Sequence, residues 1–404
     1  MNQHNNVTRP NLPLPNGTLP QRCERNKRTS GQECMELWLN LKSDPGKALA
    51  SEDWETGTSF CKPYSDIFFL KTHKTGSSTI MNILFRYGEF HNLTFALPSY
   101  NSMQFFYPNY FTASSVEGFY SHRPNTFNIM CHHMRFLLTE VQRVMPKDTF
   151  YFTILRNPIS LMESSFSYYK TLPSFSKARS LEEFLRNPFL YYQGNSHARN
   201  FMTYDLGFDH NGKASPKRFQ LTARLVESTF NLVLITEYFD ESLVLLKDAL
   251  CWTFDEVLSF PLNSRSETTK KSISPPTQER IKHWNQLDWQ LYDHFNNSFW
   301  NRVESFGRER MQREVNELRE RRAHFSKVCL KDTVDGEKIK NRALMPYQPG
   351  KAKIIGYNVK SGLGKAKQLL CQRMVTPEIQ YTEILRTNQR RRKFQATYKK
   401  TGKK

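Results

Sequence analysis

The chain has 404 residues, 38% of them hydrophobic, with 30 Phe and 18 Tyr. This length and aromatic content exclude an intrinsically disordered chain and allow one large domain with extensions. The formal charge of +20 points to anionic partners: a phosphorylated cofactor, nucleic acid or an acidic membrane surface.

Residues 1–57 are rich in Asn, Pro, Gly and charge and read as a flexible stem or linker. The first strand is expected at 67–71, and a basic loop leads from it into a helix over 77–90. Ile80, Ile83, Leu84 and Tyr87 fall at i, i+3, i+4 and i+7 of that helix. "FNIMC" (127–131) reads as a second strand leading to a helix in "HHMRFLLTEVQRVM". "TFYFTIL" (149–155) is a third strand, running into "RNPISLMESSFSYYK" with Pro158 near the helix start. "NLVLITEYF" (231–239) is a fourth, followed by the helical "DESLVLLKDALCW". Four strand-then-helix units predict an α/β fold with a central parallel sheet flanked by helices, whose ligands bind where strands end and helices begin. From about residue 277 the pattern turns helical and charged. Residues 386–404 read as a basic tail, a stretch with no acidic residue that carries Arg390–Lys393, Lys399, Lys400, Lys403 and Lys404. A solvated, disordered end is the expectation there.

The seven cysteines (23, 34, 61, 131, 251, 329 and 371) contain no CxxC pair, which argues against a zinc framework. Sequons begin at Asn6, Asn16, Asn92 and Asn296 and favour a secretory route, where cysteines tend to pair and the odd count leaves at least one unpaired. No run of 18 apolar residues and no signal-peptide pattern is present.

Two stretches carry chemistry. In "FFLKTHKTGSSTIMNILFRYGE" a strand gives way to a helix through Lys71, Lys74, Thr75, Gly76, Ser77, Ser78 and Thr79. Backbone N–H groups and the helix dipole attract phosphate in such a setting, Gly76 permits a tight turn, and the lysines add charge. The spacing is not that of a Walker A loop, and the GLGK at 362–365 does not supply one. The cluster could equally serve only to cap the helix through Ser77 or Thr75. In "LRNPISLMESSF", Arg156 closes a strand and Ser164 follows eight residues later, two helical turns on. Arg grips phosphate bidentately and Ser adds a hydrogen bond from the same side. Together the two stretches form two anion cradles at one edge of one sheet. "CHHMRF" places His132 and His133 at the end of the second strand, beside them; adjacent residues face opposite ways, so one of the two faces the cradles. No fourth ligand completes a metal site with Cys131 and these histidines.

On these motifs, with "EYFDESLVLLKDALCW", "FGRERMQREV" and "TPEIQY", the chain resembles the galactose 3-O-sulfotransferase family over about residues 60–382. That family belongs to the sulfotransferases that use 3′-phosphoadenosine 5′-phosphosulfate (PAPS). The resemblance implies a P-loop-like sulfotransferase fold with a helical C-terminal part, in a domain of residues 58–385. It implies that Lys71 and Lys74–Thr79 bind the 5′-phosphosulfate, that Arg156 and Ser164 bind the 3′-phosphate, and that Arg265 closes over the nucleotide. Lys74 would stabilise charge on the leaving phosphate. His133 would be the base that deprotonates the galactose 3-hydroxyl, with His132 as runner-up. Because lysine and arginine supply the positive charge, no metal is required. The implied partners are a galactose-terminated glycolipid or glycoprotein glycan and PAPS, with no nucleic acid. The implied location is the lumenal side of the Golgi membrane, although the N-terminal anchor of family members is not found in this sequence. A sulfotransferase acting on another sugar hydroxyl, a nucleotide-dependent kinase and a basic nucleic-acid-binding protein are the rival readings.

Overall fold

The apolar run Ile67–Leu70 forms β1, and every residue in it is fully buried. A computed structural model of the chain describes residues 61–99, 102–120, 126–266, 269, 272–349 and 352–401. These belong to the unit Pro45–Lys404; the other unit, Met1–Asp44, and the whole of the expected stem lie outside the described residues. β1 lies at the centre of a five-stranded sheet, between β4 (Ile129–Met130) and β6 (Phe150–Leu155). β2 (Phe95–Ala96) flanks β4, and β7 (Leu232–Ile235) flanks β6. All four pairings are parallel. Burial on both faces explains why these strands read as continuous apolar and aromatic runs. Phe69 and Phe152 stack across β1 and β6 with ring centroids 4.8 Å apart.

The order β2-β4-β1-β6-β7 means that the chain builds one side of the sheet from β1 and then the other. Such a switch point opens a crevice beyond the carboxyl ends of the strands. Leu70 pairs with Thr153, so β1 and β6 end at the same edge. β1 runs into α1 (Ser77–Phe90) and β6 into α2 (Pro158–Tyr168). Pro158 lies in the first turn of α2 as the sequence anticipates, after Asn157, whose side chain accepts from the Ile159 N–H; the N-cap of α1 is Gly76 in the left-handed region, with no side-chain cap from Ser77 or Thr75.

The expected helix over "HHMRFLLTEVQRVM" differs. His133–Arg135 is a strand, β5, paired with β3 (Gln104–Tyr110), and only Leu138–Val141 of that stretch is helical. Met134 is buried while His133 and Arg135 are only partly covered, a period of two over three residues that the longer apolar run masks.

The charged segment after 275 is helical as expected: Pro275–Trp284, Gln286–Phe306 and Arg308–Cys329. It is followed by an antiparallel pair, β8 (Leu330–Asp335) and β9 (Ile355–Val359), that the charge pattern hid. Disulfides join Cys61 to Cys251 and Cys329 to Cys371, and Cys131 is buried and unpaired. The last helix, α3 (Glu378–Thr401), carries the basic residues onward without a break, and Arg390 pairs with Glu117 at 2.8 Å. Tyr381 of α3 donates to Glu89 near the end of α1 at 2.7 Å, and Ser78 at the start of α1 donates to Glu378 at 2.7 Å.

Candidate active site

One cavity of about 910 Å³ opens at the carboxyl ends of β1 and β6. Every residue singled out for the two cradles lines it: Lys71, Lys74–Thr79, Arg156, Ser164 and Arg265, together with His133. A drug- or nucleotide-sized ligand needs a space of this order.

The loop after β1 is braced from within. The Thr75 and Ser77 hydroxyls donate to the Thr72 carbonyl at 3.1 and 2.8 Å, and the Thr79 hydroxyl accepts from the Leu262 N–H at 2.9 Å. Thr236 donates to the Thr75 carbonyl at 2.8 Å. These hydroxyls therefore shape the loop; the Thr79 N–H donates to the Gly76 carbonyl at 3.0 Å, and the earlier first-turn N–H groups of α1 are the ones left for an anion. Gly76 sits at φ 73°, and a Cβ there would stand 3.2 Å from the Phe239 ring. Conformation and space both call for glycine.

The second cradle locks onto the first. Arg156 donates from Nη1 to the Lys74 carbonyl at 2.7 Å, while its buried Nε has no partner. Arg265 is ion-paired to Glu163, and its buried Nη1 is also without a partner. Ser164 is buried on α2. Unpaired guanidinium N–H groups in a cavity fit an incoming phosphate, because leaving such donors unsatisfied is costly. Lys74 projects from a residue at φ 61° with its Nζ 3.4 Å from the Tyr168 ring centroid. Burial, then the cations of Arg156, Lys71 and Arg265, push Lys74 down to about 7.

The two adjacent histidines part company. His132 turns away from the cavity: its Nε2 is 3.0 Å from the Thr382 hydroxyl, and burial pushes it down to about 3. His133 lines the cavity, with Nδ1 2.8 Å from the Lys71 carbonyl and Nε2 2.7 Å from Lys71 Nζ. A carbonyl only accepts, so Nδ1 carries the proton, and the Nε2 lone pair receives the Lys71 ammonium. Burial, then His73 and Lys71, push His133 well below the usual imidazole range.

The sequence reading left out His73, which lies inside the quoted loop. Its backbone N–H and ring Nδ1 both meet Asp205 Oδ2, at 2.8 and 2.9 Å, and Tyr107 donates to Asp205 Oδ1 at 3.1 Å. His73 Nε2 is buried without a partner. Burial pushes Asp205 up to about 8 against the pull of those donors. His73 itself sits well below its usual range, through burial and then through Lys71 and Lys74. Glu378 was also left out. It pairs with Lys71 at 3.2 Å and accepts from Ser78 at 2.7 Å. Burial raises its pKa, but Lys71 and Ser78 hold it below the usual carboxylate range. Position inside a loop bounded by two lysines could have flagged His73; nothing local to Asp205 or Tyr168 could. Among the described residues, no three His, Cys, Asp or Glu cluster closely enough to hold a metal ion.

The arrangement can bind a polyanion in two grips and offers a proton acceptor beside one of them. Comparison with known proteins agrees with that chemistry. A family model described as galactose-3-O-sulfotransferase matches residues 33–389. Galactose-3-O-sulfotransferase 2 of Mus musculus is 47% identical over 330 residues, covering 79% of this chain and 84% of that protein. Galactosylceramide sulfotransferase of Mus musculus is 43% identical over 356 residues, covering 85% and 83%. Galactose-3-O-sulfotransferase 4 of Homo sapiens is 38% identical, covering 81% and 84%.

Proposed function

The chain belongs to the galactose-3-O-sulfotransferase family and is a carbohydrate sulfotransferase, and we propose that it transfers sulfate from PAPS to the 3-hydroxyl of a terminal β-galactose. The observation that carries this reading is the bond from Arg156 to the Lys74 carbonyl, which holds the two cradles together on one cavity. A donor with phosphates at both ends of its ribose needs two such grips at a fixed separation.

PAPS supplies the activated sulfuryl group. The N–H groups at the start of α1, with Lys74, hold the 5′ end; Arg156, Ser164 and Arg265 hold the 3′-phosphate. The galactose O3 attacks sulfur as the bond from sulfur to the 5′-phosphate oxygen breaks, and the electron pair left on that oxygen is stabilised by Lys74. The O3 proton needs an acceptor nearby. The resemblance to the family assigns this role to His133, whose lone pair already receives the Lys71 ammonium. The unpartnered Nε2 belongs to His73, backed by Asp205. We therefore give proton removal to His73, and to His133 the task of holding Lys71 beside the sulfuryl group.

A Golgi-lumenal location is part of the proposal. It is supported by the family resemblance and by the two disulfides, which suit an oxidising compartment. Among the described residues no helix is long and apolar enough to cross a membrane. The acceptor is the galactose end of either a glycolipid or a glycoprotein glycan. Incubation with radiolabelled PAPS and galactosylceramide, N-acetyllactosamine and the mucin core disaccharide reads out which of them is sulfated; label on none of these galactosides would refute the reading. In parallel, adenosine 3′,5′-bisphosphate should raise the melting temperature more than ATP with magnesium does.

A further inference from the structure

Lys74 lies in a crowd of like charge. Arg156, Lys71 and Arg265 repel its ammonium, and Lys71 and Lys74 itself disfavour a proton on His73. The nearby carboxylates are engaged elsewhere, Glu378 with Lys71 and Glu163 with Arg265. Among the described residues no carboxylate pairs with Lys74. The group that receives its ammonium is the face of Tyr168, the last residue of α2, 3.4 Å from Nζ to the ring centroid. Both residues line the cavity. The Lys74 backbone is pinned by the bond from Arg156 to its carbonyl, so the direction of the side chain is set from both ends.

We propose that Tyr168 is a positioning residue for sulfuryl transfer, its ring holding the Lys74 ammonium charged and aimed along the cavity, a contact that is kept when the donor anion binds. The proposal rests on the reading of this cavity as the donor site. The ring quadrupole attracts a cation and not a neutral amine, and the attraction is strongest where water is excluded. That preference matters here because burial and neighbouring cations bring Lys74 down to about 7, where ammonium and amine compete at neutral pH. Burial pushes the Tyr168 hydroxyl up to about 12, so the phenol stays neutral and supplies no counter-charge. The effect therefore belongs to the ring and not to the hydroxyl.

The test is calorimetric binding of adenosine 3′,5′-bisphosphate to the full chain between pH 6 and 9, with steady-state kinetics alongside. Tyr168→Leu should weaken binding at pH 7.5 by roughly 3- to 30-fold, and its affinity should begin to fall at lower pH than in the unaltered chain. Tyr168→Phe should restore both affinity and pH profile. In a Lys74→Met background, Tyr168→Leu should cost nothing further, because the ring acts through the lysine. A loss in Tyr168→Leu that is independent of pH, that Phe does not restore, or that persists without Lys74 would overturn the proposal. If Lys74→Met alone leaves nucleotide binding intact, the donor assignment falls and this proposal with it.

Discussion

His73 and His133 stack face to face, with ring centroids 3.7 Å apart and planes 8° from parallel. One ring's free nitrogen is taken by Lys71 and the other's has no partner. Two imidazoles in van der Waals contact cannot both hold a charge at low cost, so the pair accepts one proton at a time.

Replacing each ring separately should divide their roles. His73→Ala is expected to lower kcat by about 10²–10⁴-fold, the usual contribution of a general base, with nucleotide binding nearly intact. His133→Ala should lower it less, through misplacement of Lys71. Single-turnover rates for the two variants check this, and a deeper loss in His133→Ala would return the base to His133.

The pH profile should have a rising limb. Asp205 is pushed up to about 8, so the proton it shares with His73 must leave before His73 can accept another, and kcat should climb as pH approaches 8. Asp205→Asn removes the shared proton. Its kcat–pH curve should lose that limb, whereas an unchanged curve would dissociate Asp205 from catalysis.

Arg156→Ala should act on the donor and not on the acceptor. Each lost charge-assisted bond is worth about 1.5–3 kcal/mol, or roughly 10- to 100-fold in nucleotide affinity. Arg156→Lys should recover little of it, since an ammonium cannot reach both the Lys74 carbonyl and a phosphate with a planar fork. Titration calorimetry with adenosine 3′,5′-bisphosphate decides the matter; wild-type affinity in either variant would contradict the assignment.

Lys74→Met should stabilise the nucleotide-free protein while destroying donor binding. The folded pKa of Lys74, about 7, lies below its ordinary 10.5. Between those values the unfolded chain holds a proton that the folded chain lacks, so wild-type stability rises with pH across that window and the handicap is full below pH 7. The gain in melting temperature, about 2 °C or more, should be largest at pH 6 and fade toward pH 10. A lower melting temperature at pH 6 would show that the buried charge carries no such cost.

Much of this site could be read from local pattern. The strand-loop-helix at 67–90 and the Arg156–Ser164 spacing follow from side-chain periodicity and from the N–H groups that a helix start exposes, and the structure reproduces both. Side-chain alternation implied that His132 and His133 face opposite ways and the resemblance chose His133 for the site; physically that direction is set by β5 pairing with β3, a strand that contains Pro108 and gave no clear signal.

The order of residues by itself determined the chemistry available: basic loops at strand ends, glycine at the turn, histidines at the rim. Tertiary packing alone decided which of them meet. His73 finds Asp205 across 132 residues and Ser78 finds Glu378 across 300, separations at which no helical or strand period carries information. Those contacts come from the order of strands in the sheet and from the docking of α3 on α1, where the burial of whole faces, and not any neighbouring residue, sets which groups share a cavity.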